Sequence, residues 1–230
     1  MPIYRLTQDL LFPDPKWANP EGLLAVGGDL RVERLLLAYR MGIFPWYGPD
    51  DPMLWWSPPQ RCILEPAHFH VSRSLYRLLR QERFTVTFDQ AFPAVVRACA
   101  ETRLEDGEGT WIVPEMIDAY CALHDAGFAH SAEAWWEGEL AGGIYGVSLG
   151  RAFFGESMFA RVSNASKVAF ATLARRLTDW NFTLIDCQIT NPHLVGLGAQ
   201  KISRAEFLLR LEQALRLPTR RGRWDEDGHL

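Results

Sequence analysis

At 230 residues, with 48% hydrophobic and 23% charged positions, the chain is long enough to bury a full core and has the make-up of an ordinary globular protein, which excludes an intrinsically disordered one. A net charge of −4 argues against a uniformly basic nucleic-acid binder but leaves room for a local basic face. Four scattered cysteines with no Cys-x-x-Cys suit free thiols in a reducing compartment, and neither a signal peptide nor a bilayer-length apolar run is legible, so a cytoplasmic location is expected.

Residues 1–28, rich in Pro and Gly, read as extended chain and turns. Gly27-Gly28 is followed by no Gly-Lys-Ser/Thr, so a P-loop is not expected. A tight turn into a helix fits better, with Asp29 as N-cap, Val32, Leu35, Leu36 and Tyr39 on one face, and Gly42 as its stop. The stretch 42–59 holds three of the nine tryptophans among so many prolines that no regular element is expected. Trp55 and Trp56 read as a satellite core, and Trp46 as a ring available to stack on a nucleobase. A strand follows at 61–65, beside the expected boundary between an N-terminal domain (1–61) and a larger one (62–230). Ser72 caps a helix reaching Gln81, on which Arg73, Arg77 and Arg80 share a face. That face is either solvated surface or a track for phosphates.

A strand at 84–88, a helix at 90–100 with Pro93 in its first turn, a charged loop at 101–109 and a helix from Pro114 to Ala126 come next. Residues 130–136 and 140–148 make a hairpin about Glu137-Gly138, with Gly142 and Gly143 suggesting a bulge. The strands at 152–159 and 184–188 each carry a carboxylate among apolar residues, Glu156 and Asp186. The helix between them makes these strands parallel and lets the two carboxylates approach. They are either structural caps or a functional pair, since a buried carboxylate needs a partner. A final helix at 203–215 begins with the capping box Ser203/Glu206, and the charged tail from Arg216 reads as frayed.

A meander, a crossover helix to a further strand, and strands parted at a glycine-rich bulge make an α+β fold that resembles the N-acetyltransferase (GNAT) type. The loop at 159–165 lacks the glycines that hold a pyrophosphate in that fold, which speaks against a coenzyme A donor. His68-x-His70 has no third ligand near it in sequence, so no metal is expected.

The ordered motifs Gly-Gly-Asp-Leu (27–30), Gly-Ile-Phe-Pro-Trp (42–46), Leu-Trp-Trp-Ser-Pro (54–58), Gly-Thr-Trp-Ile (109–112), His-Ser-x-Glu (130–133), Gly-Gly-x-Tyr-Gly (142–146), Gly-Glu-Ser-Met-Phe (155–159), Asn-Ala-Ser-Lys (164–167) and Leu-Ile-Asp-Cys-Gln (184–188) resemble those of the bacterial leucyl/phenylalanyl-tRNA–protein transferases. The resemblance implies transfer of Leu or Phe, and Met as a further donor, from aminoacyl-tRNA to proteins beginning with Arg or Lys. It implies no ATP, metal or other cofactor, and a product marked for N-end-rule degradation. It assigns Asp186 and Gln188 to the proton-transfer step and Glu156 to an ammonium group. Ile144, Phe153, Met158 and Ile185 would line an apolar slot, Trp46 and Trp111 would stack the terminal adenosine, Asn191 would bond the donor's end, and Arg73, Arg77 and Arg80 would bind tRNA. The rival readings are a coenzyme A acyltransferase, a non-catalytic RNA-binding module, and a ligase passing amino acids from tRNA to cell-wall peptides.

Overall fold

The computed structural model describes residues 3–105 and 110–225. Two sheets organise them. The smaller has strand order β1-β2-β4-β3, formed by β1 (Tyr4–Leu6), β2 (Leu23–Gly27), β3 (Phe44–Pro45) and β4 (Leu54–Trp56), with helix α1 (Val32–Arg40) between β2 and β3. The larger has order β11-β5-β10-β9-β8-β7-β6. Its strands are β5 (Gln60–Leu64), β6 (Thr85–Phe88), β7 (Ala129–Trp136), β8 (Glu139–Leu149), β9 (Ala152–Ala160), β10 (Leu184–Gln188) and β11 (Gln200–Ser203). Strands β6 to β9 form an antiparallel meander, and β10 returns parallel to β9 through helix α5 (Ala165–Asp179). This is the α+β arrangement of the acetyltransferase type expected from the sequence.

Both faces of the large sheet are covered. Helix α5 and the short α2 (Arg73–Arg80) pack one face, where α5 buries Val168, Phe170, Leu173 and Leu177. Helices α3 (Phe92–Glu105), α4 (Pro114–Asp125), α7 (Arg204–Leu215) and α1 cover the other. The core on that side is continuous with the small sheet, since Trp55, Phe44 and Tyr39 belong to the same cluster as Phe154, Tyr120 and Phe207. β8 is therefore buried on both faces, which is why it reads as a run of small and apolar residues. The β7–β8 turn has φ +53 at Glu137 and +85 at Gly138, the paired positive values of a two-residue hairpin whose twist matches its strands. The four cysteines are thiols rather than disulfides.

Several details differ from expectation. Residues 23–27 are a strand, and Asp29 does not cap α1. Arg31 occupies that position, while Asp29 accepts from the Arg31 backbone and guanidinium and from Arg34 Nη2. The Pro-rich stretch does hold regular structure, because its prolines fall where two- and three-residue strands need few ladder bonds. The irregularity near Gly142 lies at Ala141, and Gly142 itself admits α5, since a Cβ there would stand 2.7 Å from that of Ala165. Of the expected charged loop, residues 101–105 belong to α3, and the rest, with Gly109, falls outside the described residues.

Most of the tail is not frayed. Trp224 is 1% exposed, stacks on His130 with ring centroids 3.8 Å apart, and donates its backbone N–H to Asp89 Oδ2 at 2.8 Å. Asp89 also bonds His130 Nδ1 at 2.8 Å and the Ser131 amide at 2.9 Å. The indole thus closes a pocket of the core and repays the ordering of the chain that carries it.

Candidate active site

The parallel ladder of β9 and β10 covers only Ala152/Leu184, Phe153/Ile185 and Phe154/Asp186. Beyond it the strands part, and each is bulged at the fork. In β9, Tyr145 faces Ser157 and Gly146 faces Gly155, so Glu156 is the extra residue. In β10, Asp186 faces Ile63 and Gln188 faces Cys62, so Cys187 is the extra residue. Such bulges re-aim side chains. Gly146 makes the first possible, since a Cβ there would lie 2.1 Å from Phe154 O. The second leaves Gln188 at φ +57.

The fork opens into a cavity of about 330 Å³ whose lining draws on residues from both faces of the sheet. Its apolar end, toward α5, is walled by Ile144, Met158, Phe170, Ile185 and Leu194. Its polar end presents Glu156, Ser157 and Gln188, and Trp46, Trp111, Asn191 and His193 also line it. A neighbouring lobe of about 270 Å³ shares the Phe44, Trp46, Ile189 and Thr190 walls and adds Glu21, Trp56 and Lys201.

Glu156 sits at the centre. Its Oε1 accepts from Tyr39 OH (2.7 Å) and Gln188 Nε2 (2.8 Å), and its Oε2 from Tyr120 OH (2.7 Å). Burial pushes its carboxyl up to about 7, with the bonds from Tyr120, Tyr39 and Gln188 opposing the rise. Burial and the Glu156 charge in turn hold both phenols well above their ordinary range, so the two tyrosines stay proton donors.

Asp186 is arranged otherwise. It is fully buried and is not part of the cavity wall. Arg61 grips it with two bonds, Nε to Oδ1 at 2.8 Å and Nη2 to Oδ2 at 2.6 Å, while Arg61 Nη1 reaches Gly42 O at 3.2 Å. The guanidinium lies over the rings of Phe44 and Phe207, 4.6 and 4.5 Å from their centroids. Asp186 touches the site through Gln188, whose backbone N–H donates to its Oδ1 at 2.9 Å. Gln188 therefore bridges the two carboxylates, its main chain held by one and its side chain by the other.

The family model described as leucyl/phenylalanyl-tRNA protein transferase matches residues 63–212, and the one for that protein's N-terminal domain matches residues 28–59. The chain belongs to the leucyl/phenylalanyl-tRNA–protein transferase family. It is 62% identical to the transferase of Desulfatibacillum aliphaticivorans over 224 residues, 97% of this chain and 96% of that one. It is likewise 62% identical to that of Anaeromyxobacter sp. (strain Fw109-5) over 228 residues, 99% of this chain and 97% of the relative. Among solved structures, the C-terminal domain of a putative lysylphosphatidylglycerol synthetase from Agrobacterium fabrum aligns with a TM-score of 0.44 at 10% identity, over 85% of this chain and 72% of that one.

For a transferase joining an aminoacyl group to a protein, the residues named from sequence fall in three places. Glu156, Gln188, Trp46, Trp111, Ile144, Met158, Ile185 and Asn191 surround the cavity. Asn191 also caps helix α6 (Pro192–Gly196), where its Oδ1 accepts the Leu194 N–H. Asp186 and Phe153 stand behind the wall. Phe153 is in the core, 6.0 Å from Trp224 between ring centroids, because the short parallel ladder keeps its side chain beneath the fork. Arg73, Arg77 and Arg80 lie on the exposed side of α2, away from the cavity lining, with Leu75 buried opposite. Sequence reasoning did not find Arg61, Tyr120 or Ser157, and gave Tyr39 only a packing role. Arg61 carried a signal: it is the one cation in an apolar strand, as Asp186 is the one anion in another.

Proposed function

We propose that the protein moves Leu, Phe or Met from the ester of an aminoacyl-tRNA to the α-amine of proteins beginning with Arg or Lys, and so marks them for N-end-rule degradation in the cytoplasm. The observation that carries this reading is a cavity whose apolar end adjoins a carboxylate that burial pushes up to about 7. Apolar donor side chains fit the slot bounded by Ile144, Met158, Phe170 and Ile185. The terminal adenosine stacks on Trp46 or Trp111, with Asn191 near its end groups, and the acceptor-stem phosphates follow Arg73, Arg77 and Arg80 on α2. The neighbouring lobe is offered to the acceptor's first side chain: Glu21 and the rings of Trp46 and Trp56 favour a cation there, and Lys201, on the same wall, opposes it.

The chemistry follows from the ester's own activation and uses no cofactor. The amine lone pair adds to the ester carbonyl carbon, the new C–N bond forms, and the bond to the ribose 3′ oxygen breaks. The proton lost by the amine passes to Glu156 and then to the departing oxygen. The Gln188 side chain, held by Glu156, orients the amine, and its amide cannot itself be the base at neutral pH. Asp186 and Arg61 fix the backbone from which Gln188 projects.

The test is incubation with labelled leucyl-tRNA and an Arg-starting peptide, without ATP. Labelled peptide is expected. Phenylalanyl- and methionyl-tRNA should also serve and lysyl-tRNA should fail, since an apolar slot leaves a cation unpaired. No label on the peptide with the ester intact would end this reading. Replacing Arg73, Arg77 and Arg80 together with alanine should weaken tRNA binding and make the logarithm of the binding constant less steep against the logarithm of salt, by about one unit of slope per lost phosphate contact. An unchanged slope returns that face to solvent.

A further inference from the structure

We propose that Ser157 is a catalytic hydrogen-bond donor, its Oγ–H directed at the ester carbonyl oxygen where negative charge develops during transfer. Ser157 is 8% exposed, its Oγ is shielded, and no protein atom bonds it, yet the residue lines the cavity. A buried hydroxyl without a partner is unfavourable unless something that visits the site supplies one. Its orientation follows from the bulge. Ser157 pairs across the ladder with Tyr145, and directly opposed residues share a face of the sheet. The Tyr145 ring packs edge-on against Tyr120, the donor to Glu156 Oε2, at 5.5 Å between centroids. Ser157 and Glu156 therefore look toward the same side, whereas neighbours in a regular strand would point apart.

When the amine adds, the carbonyl oxygen takes negative charge and needs a proton donor already in place. Tyr39 and Tyr120 give their hydroxyl protons to Glu156, Gln188 Nε2 gives one of its protons to Glu156, and Arg61 is committed to Asp186 and Gly42. Among the described residues of β9 and β10, Ser157 is the side-chain O–H or N–H donor with no protein partner. Its role is a hydrogen bond only. Ser157 loses no proton and forms no bond to carbon, and the acyl group passes directly from ribose oxygen to nitrogen.

This inference rests on the placement of the ester in the cavity, and the test separates the two. Two adenosine ligands are compared by calorimetry on the intact chain: a 3′-aminoacylamido analogue, which mimics the ground state, and a 3′-aminoacyl phosphonate, which mimics the charged tetrahedral species. Wild-type protein should bind the phosphonate more tightly. Ser157→Ala should erode that preference by about 10²-fold, slow single-turnover transfer by a similar factor, and leave amide affinity within about twofold. Its melting temperature should not fall, because an orphaned hydroxyl has been removed from a dry site. Ser157→Cys, a weaker donor of similar size, should fall between, and decides the matter if the alanine variant misfolds. Wild-type protein that binds neither ligand would refute the placement of the ester. Equal loss for both ligands, or no loss, would overturn the donor role, as would an acyl group found on Ser157 by mass spectrometry.

Discussion

Glu156→Gln is expected to slow single-turnover transfer at saturating tRNA by about 10²–10⁴-fold, the span for loss of a general base. The substitution keeps size but removes the proton-accepting oxygen, and it obliges Tyr39, Tyr120 and Gln188 to donate to an amide in place of a carboxyl. The pH profile gives a second reading. In wild-type protein the rate should climb with pH through about 7 as Glu156 ionises, and again through about 7.7–8.0 as the acceptor amine loses its own proton. The variant should keep only the second rise. Stability should move the opposite way. The Glu156 carboxyl is raised from 4.5 to about 7 on folding, so the fold favours its protonated form. That contribution is present below pH 4.5 and is lost as pH rises through about 7. The wild-type melting temperature, taken relative to that of the variant, should therefore decline between pH 4.5 and about 7. A variant with wild-type rate and an unchanged first rise would remove Glu156 from proton transfer.

The largest effect on folding is expected at Arg61. It is 1% exposed and Asp186 is fully buried, so Arg61→Ala leaves an uncompensated charge and a gap between Phe44 and Phe207. The expected cost is about 3–5 kcal/mol, or roughly 10 °C in melting temperature for a domain of this size. Asp186→Asn is a milder lesion to geometry, because an amide still accepts from the guanidinium, but it too strands a charge. The informative variant is the double replacement Arg61→Met with Asp186→Leu. Two apolar side chains of similar volume should recover much of the stability, since burying an ion pair costs nearly as much as it returns. Activity should stay low, because the Gln188 N–H has then lost its acceptor and the side chain that meets Glu156 is free to turn. Denaturant midpoints and transfer rates on the three proteins separate these roles. Full activity in a stable double variant would show that Gln188 does not depend on the pair.

Much of this was legible in the chain because the periodicities were strong. The meander, the crossover helix and the two strand carboxylates follow from the apolar runs of β7 to β9, the Glu137-Gly138 turn between the first two, and the helical spacing in α5. What stayed hidden were partnerships over long separations. Tyr39 and Tyr120 are 81 residues apart and their hydroxyls lie 2.6 Å from each other, yet each reads locally as the apolar face of a helix. Arg61 and Asp186 are separated by 125 residues, and no local pattern joins them, although each is a charge in an apolar strand that calls for an opposite one. Which carboxylate faces the cavity is likewise set at a distance, because Arg61 holds Asp186 behind the wall while Glu156 lines it. Trp224 was missed because a single indole in a charged tail has no periodicity, and its partner His130 is distant in sequence.

The position of β5 has a consequence for biosynthesis. Residues 60–64 occupy a slot between β10 and β11, strands made of residues 184–203. A ribosome adding about 5–20 residues each second thus makes β5 many seconds before either neighbour exists. During that interval β5 offers two bare edges and β9 offers one, and pairings this remote in sequence close slowly. The chain should therefore assemble from its middle, the β6–β9 meander first, with β5 recruited only when β10 and β11 arrive on both sides of it. Because Asp186 and Gln188 come with β10, the fork and the cavity it opens are among the last parts to form. A nascent chain stalled before residue 184 would have the apolar wall of β8 and β9 but no site, and would be a client for chaperones rather than a partial enzyme.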